Sequence, residues 1–294
     1  MGLNKLMCDG WSYRIYGSSG GGNGGCPPDK YFEGDHAEVN LPNATKIKQY
    51  AFYQDTTLTN ISMPKVTAVE QYAFYGCSNL TQPSLPSGLT SIAQYAFRNC
   101  SNLQVTELPS SLTSIGDYAF YSCSKLAPSS FPSGLTSIGE NAFKYCSSLA
   151  LKELPSSLTS ISDFCFEYCG KLALTSLPNG ITSISASAFS GCTTMPLTSL
   201  PSGLLSIGGS SFQKCSELAL TEIPSSVTSI GYNAFFKCTK LQELTFKGTP
   251  TTIDTYTFNG CTNLTTINVP WAEGEVANAP WGATNATINY NYTG

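Results

Sequence analysis

Nine cysteines recur at a fixed interval of 23 residues: Cys77, Cys100, Cys123, Cys146, Cys169, Cys192, Cys215, Cys238 and Cys261. Thiols in register raise three chemical readings. A metal ladder needs ligands clustered at short spacing, such as C-x2-C. The one tight pair, Cys165 and Cys169, does not supply it, because Cys165 stands where other copies carry a small residue beside phenylalanine. Disulfides between successive copies need facing Cβ atoms, and side chains stacked in one direction do not face each other. The third reading is a column of buried thiols, one per repeat, packed as small hydrophobes, and it is favoured here. Cys8 and Cys26 stand outside the period. They are candidates for a disulfide, which would place the chain in an oxidising compartment.

The remaining candidates for chemistry are sparse. The sole histidine, His36, has Asp35 beside it and Glu33 and Glu38 near it, but no nucleophile in a recognisable setting. No phosphate loop, dinucleotide fingerprint, zinc-protease helix or serine elbow occurs, and the irregular glycine run from Gly17 to Gly25 precedes no clear helix. Glu107, Glu153 and Glu222 share one repeat position, seven residues after the cysteine. Glu107 and Glu153 would lie two strand spacings apart, about 10 Å, so they read as a surface column rather than an acid–base pair. The residues call for no metal and no cofactor, and an enzyme is the least favoured class.

Composition narrows the partners. Only 12% of the 294 residues are charged, and the net charge is −4. An acidic balance without a Lys/Arg cluster argues against nucleic acid and gives no reason to expect anionic membranes. No run of 18 apolar residues is present, so membrane insertion is not expected, and residues 1–10 show no apolar segment of a secretory signal.

The elements that must position these columns follow from the repeat itself. A phenylalanine precedes each cysteine by three residues, from Phe74 to Phe258, and an apolar residue follows by three, from Leu80 to Leu264. A degenerate earlier copy has Phe52, with Asp55 at the cysteine position. From Ile115 the apolar residues Ala119, Phe120, Cys123 and Leu126 fall at helical spacing, which predicts a short helical turn. Asp117, Glu140 and Asp163 would face the exposed N–H groups at its start. The leucine-rich segment before each proline predicts one short strand, ended by the proline, and Leu112 to Ile115 a second. The expected fold is therefore a repeat solenoid, a β/α superhelix of about ten 22–23-residue coils with short parallel strands and short helical turns. One coil cannot bury its apolar side alone, whereas stacked coils share a core. At about 4.8 Å per coil the array would be roughly 50 Å long.

The runs Leu108 to Gly116 and Leu154 to Ile161 closely resemble the BspA-like leucine-rich repeats of bacterial surface proteins, whose consensus carries the same L-P-S-S-L-T-S-I-G-x-x-A-F-x-x-C-x-x-L order. The resemblance covers some 230 residues. It implies a leucine-rich-repeat fold, adhesion or host-protein binding, and an extracellular or cell-surface location. The chain departs from the pattern six residues after the cysteine, where an aliphatic is usual and Thr106, Ser129, Lys152, Thr175, Thr198 and Thr221 stand instead. Leu151, Leu174, Leu197 and Leu220 lie one position earlier, which predicts bulged or shifted middle strands.

Residues 1–39 and 271–294 lack the repeat and are expected to cap the array at 40–270. Trp11, Tyr13, Tyr16, Tyr31 and Phe32 are available at one end, and Trp271, Trp281, Ile288, Tyr290 and Tyr292 at the other. The best function class is a non-catalytic binding module for a protein or glycan. Its expected site is an exposed strand-face stripe, Ser84, Glu107, Ser130, Glu153, Ser176, Ser199 and Glu222. A structural spacer or assembly element, as in a phage tail or surface layer, is the alternative. A second column, Tyr50, Tyr72, Tyr95, Tyr118, Phe164 and Tyr256, suits either a binding surface or packing between turns, and packing is favoured. The glycosylation-like sequons at Asn60, Asn79 and Asn263 read as chance.

Overall fold

A coil with apolar residues on every turn has no way to hide them except against another coil, and the computed structural model shows that outcome. It describes residues 37–294 and, as backbone, two strands at Asn4–Cys8 and Trp11–Ile15 that pair antiparallel. Residues 37–294 form a parallel β-solenoid. Ten two-residue strands, from Lys46–Ile47 to Thr252–Ile253, mark ten successive coils, and Thr287–Asn289 belongs to an irregular eleventh. The strands stack in strict register, serine on serine and isoleucine on isoleucine, as in Ser91↔Ser114 and Ile92↔Ile115.

Each proline forms a corner. The Pro109 carbonyl accepts the Leu112 N–H at 3.0 Å, and the same bond recurs from Leu89 to Pro86 through Val227 to Pro224. It turns the chain into the Ser-Ile strand, whose isoleucine is buried. The threonine before that strand donates both its N–H and its hydroxyl to the equivalent carbonyl one coil earlier, as Thr113 does to Thr90.

The expected helical turn is not formed: no helix occurs among the described residues. The segment from Gly116 to Leu126 is a chain of tight turns. Tyr118 and Ser122 have φ of 56° and 59°, and this left-handed backbone interrupts any α-helix. The N–H groups alternate in destination. Ala119, Tyr121 and Cys123 donate within the coil to residues three back, whereas Tyr118, Phe120 and Ser122 donate to Glu140, Ala142 and Lys144 of the next coil, at 2.8 Å each. Three-residue turn closure reproduces the spacing of a helical face, which is why the apolar pattern looks helical. The carboxylates do cap N–H groups, but across coils: Asp117 accepts from Glu140 N at 2.9 Å and Asp163 from Ala186 N at 2.7 Å.

The shifted aliphatics correspond to a change in the backbone. Val105, Leu151, Leu174, Leu197 and Leu220 are buried five residues after the cysteine; the segments of the first four form no regular strand, and that of Leu220 only the two-residue strand Glu222–Ile223. Where the aliphatic stands six after that position, as Ile61, Leu244 and Ile267 do, strands appear at Asn60–Ser62, Glu243–Phe246 and Thr266–Asn268. The strand ladder of the other column breaks once, between Ser137–Ile138 and Ser160–Ile161. There the Ser162 hydroxyl donates to the Ile138 carbonyl at 2.7 Å. Phe131 stacks on both Phe143 and Phe166 across the break, where phenylalanine spacing is widest, 5.7 Å.

The core is one continuous cluster from Leu41 to Ala283. Its spine is a stack of ten phenylalanines, Phe52 to Phe258, with centroids 5.0 to 5.7 Å apart. At the far end Trp271 and Trp281 are buried and pack edge-on at 6.2 Å. Thr287–Asn289 pairs with Thr266–Asn268.

Because each ring is shared by two coils, Phe143→Ala is expected to destabilise the fold by about 3–5 kcal/mol. Urea denaturation followed by circular dichroism measures it. A loss below about 1 kcal/mol would mean that the stack is not the shared core.

Candidate functional site

The periodic thiols have a role that their spacing does not reveal. Each Sγ donates to the carbonyl of the phenylalanine in the preceding coil, from Cys77 to Phe52 at 2.9 Å through Cys261 to Phe235 at 3.0 Å. The same carbonyl accepts the backbone N–H of its own coil's cysteine, as Phe120 does from Cys123 at 3.0 Å. One carbonyl thus binds two successive cysteines, and both its lone pairs are used. All ten described cysteines are free and buried. Burial raises the thiol of Cys261 to about 12 and pushes those of Cys100, Cys123, Cys146, Cys165, Cys169, Cys192, Cys215 and Cys238 well above their ordinary range. A thiol so held is a poor nucleophile and a poor metal ligand. Among the described residues, no group of three or more His, Cys, Asp or Glu side chains could hold a metal ion.

The Cys8–Cys26 pairing lies outside the described residues, since only the backbone of Cys8 is described; His36 lies outside them too.

The stripe is exposed along its length: Ser84, Glu107, Ser130, Glu153, Ser176, Ser199 and Glu222 all face solvent. Next to them, Leu85, Leu108, Phe131, Leu154, Leu177, Leu200 and Ile223 are buried. The stripe is not a strand face, however. Only Glu222 lies in a strand, Glu222–Ile223. The other six sit in non-strand backbone, whether the residue five after the cysteine is an aliphatic, as in the coils of Glu107, Glu153, Ser176 and Ser199, or Gln82 and Pro128, as in those of Ser84 and Ser130. Glu222 also faces Lys247 across 3.8 Å, an exposed ion pair of little energetic weight. At the first end of the same side, a shallow polar hollow is lined by Glu38, Asn60, Ser62, Gln82 and Gln104.

The tyrosine column lies on the turn side. Tyr50, Tyr72, Tyr95 and Tyr118 form a half-buried stack, at 5.0, 4.7 and 4.8 Å. Packing between turns is therefore real, and the edges of the rings remain at the surface. The sequence reading missed the second aromatic column beside it, Tyr53, Tyr75 and Tyr121, continued by Tyr145 and Tyr168. Its signal was present, a tyrosine two residues before the cysteine position in three of the first four copies. Lys144 lies between Tyr145 and Phe164 and pairs with Glu167 at 2.5 Å. Partial burial lowers the Lys144 pKa, but the Glu167 hydrogen bond and charge outweigh it and the net shift is upward. Tyr145, Tyr168, Tyr232 and Tyr256 are the most exposed rings of the coils.

A family model described as the BspA type leucine rich repeat region matches residues 45–173 and 159–278. No curated protein sequence matches the chain. Among solved structures, a leucine-rich repeat protein from Bacteroides ovatus is similar at 25% identity, over 86% of this chain and 68% of that one, with a TM-score of 0.70. A leucine-rich repeat protein from T. pallidum shares 30% identity over 58% of this chain and 86% of its own, with a TM-score of 0.51. A leucine-rich cell surface protein from Faecalibacterium prausnitzii shares the fold, at 22% identity over 100% of this chain and 96% of its own, with a TM-score of 0.57.

Raised thiol pKa values make stability sensitive to alkali. The folded state holds the thiol protons more tightly than the unfolded chain, whose cysteines ionise near 8.5. The stability they confer is full below about pH 8.5 and is lost as pH rises toward the folded values. Above that point each of the nine shifted thiols costs up to about 1.4 kcal/mol per pH unit. Urea midpoints under reducing conditions should therefore fall steeply between about pH 8.5 and 9.5, below the range where tyrosine and lysine ionise. A flat profile across that window would show that the thiols are not sealed.

Proposed function

The chain belongs to the BspA-type leucine-rich-repeat family, and from that premise we propose that it is a non-catalytic module that binds a protein ligand at a cell surface. The carrying observation is the stripe: a column exposed in coil after coil, beside a column that is buried in every one. A rigid stack presents such a column with little conformational entropy left to lose on binding. Fixed buried neighbours leave only the outward positions free to differ, and here each is either Ser or Glu. The surface placement draws on the family's occurrence among bacterial surface proteins. Every closed role found for the cysteines is structural, which supports a function exercised through surface contact.

The uninterrupted core from Leu41 to Ala283 favours one further reading, a stiff spacer or assembly element. It differs in expecting self-association that is indifferent to the stripe.

Surface plasmon resonance over the immobilised chain, using a panel of purified extracellular-matrix proteins and in parallel a glycan array, separates these readings. At least one matrix protein is expected to bind, and the triple variant Glu107→Ser, Glu153→Ser, Glu222→Ser to weaken it at least tenfold with an unchanged melting temperature. Binding on the glycan array alone would replace the protein ligand by a sugar. No binding on either, with self-association by sedimentation velocity, would favour the spacer.

A further inference from the structure

Along the turn side of the first coils, tyrosine recurs in two adjacent columns, and in one of them a rung is replaced by Arg98. Its guanidinium carbon lies 4.4 Å from the ring centroid of Tyr121, 5.3 Å from Tyr118, 5.6 Å from Tyr95 and 5.8 Å from Tyr75. Four rings therefore surround one cation. The Nε atom is buried and has no hydrogen-bond partner. Among the described residues no carboxylate pairs with Arg98. Arg98 is half-buried. With Nε sealed, its accessible end is the pair of Nη nitrogens.

The rings also limit what can dock beside that end. Tyr72, Tyr95 and Tyr118 stack on one another with interplanar angles of 7° and 17°. Their faces are spent on neighbouring rings, so a sugar, which recognises aromatic faces, finds mainly edges and hydroxyls. A planar carboxylate suits a guanidinium fork bidentately. Tyrosine and arginine held rigid in a cluster are the composition of a protein-binding hot spot.

We propose that the turn side around Arg98 is a second docking surface, which takes an acidic segment of a protein partner. A glutamate or aspartate of that segment seats its carboxylate on the Arg98 Nη nitrogens, between the edges of Tyr75, Tyr95, Tyr118 and Tyr121. This deepens the protein-binding reading and rests on it, but it uses residues outside the stripe. The site is preorganised, because four rings already hold the guanidinium without supplying an acceptor.

Fluorescence anisotropy with a labelled ten-residue oligo-glutamate, titrated with the full chain, tests it. Saturable, salt-sensitive binding is expected. Arg98→Gln should weaken it at least tenfold. Arg98→Lys, which keeps the charge and loses the fork, should weaken it less, and Lys240→Gln, a charge removed elsewhere, should leave it unchanged. Thermal melts check each fold, and if Arg98→Gln does not fold, Arg98→Lys against Lys240→Gln carries the comparison. Absence of binding, or equal binding by the Arg98 and Lys240 variants, would overturn the proposal. Stronger binding of an equally charged polygalacturonate than of oligo-glutamate would also overturn it, in favour of an acidic polysaccharide. Should oligo-glutamate fail while matrix-protein binding depends on the stripe, only the Arg98 surface falls.

Discussion

The phenylalanine carbonyl on the turn side is the atom on which the stack depends. It must accept from its own coil to close a tight turn, and it has a second lone pair that faces the next coil inside a dry core. Water cannot reach it, and an unsatisfied buried acceptor is costly. The cysteine thiol of the following coil fills the place, as from Cys146 to Phe120 at 3.1 Å. A thiol is small enough for the slot, donates weakly and otherwise behaves as a hydrophobe. Coil height, ring stacking and thiol position therefore fix one another. The alternation of N–H groups, inward to the turn or onward to the next coil, extends the same constraint to the rest of the turn side.

That constraint divides the surface from the interior. Phe, Cys, Leu and Ile columns are committed to the stack and leave chemistry little room. The outward columns meet no such demand, and the sequence differs between coils there: serine or glutamate along the stripe, and tyrosine, arginine, lysine or small residues along the turn side. A solenoid of this kind separates the part that folds from the part that recognises, and its neighbour-only contacts allow one coil's surface to change without disturbing distant coils.

The period, the buried thiols and the parallel stacking were legible because each leaves a residue type at a fixed interval. The missing helix was not legible. Turns closed over three residues put Ala119, Phe120, Cys123 and Leu126 inward at the spacing a helix would use, and sequence spacing cannot distinguish the two. The sign of φ at Tyr118 and Ser122 decides between them, and neither residue type announces it. The stripe's exposure was legible, but its lack of strand character was not: the ladder is absent beside the early aliphatics Val105, Leu151, Leu174 and Leu197 and also beside Gln82 and Pro128, yet returns at Glu222 after Leu220. The Arg98 cage lay beyond reach for another reason. It joins Tyr75, Tyr95, Tyr118 and Tyr121 from three coils, and only the stacking register brings them around one side chain.

The central claim is that the array thiols are structural donors closed inside a cooperative stack, and native-state thiol labelling tests it most directly. Cys8 and Cys26 are first replaced by serine, leaving the ten described cysteines. With an aromatic disulfide reagent at pH 8, the folded protein is predicted to show essentially no reaction. All ten thiols should become reactive together with the loss of the circular-dichroism signal on denaturation. Stoichiometric labelling of array cysteines in the folded state, with the spectrum intact, would contradict it.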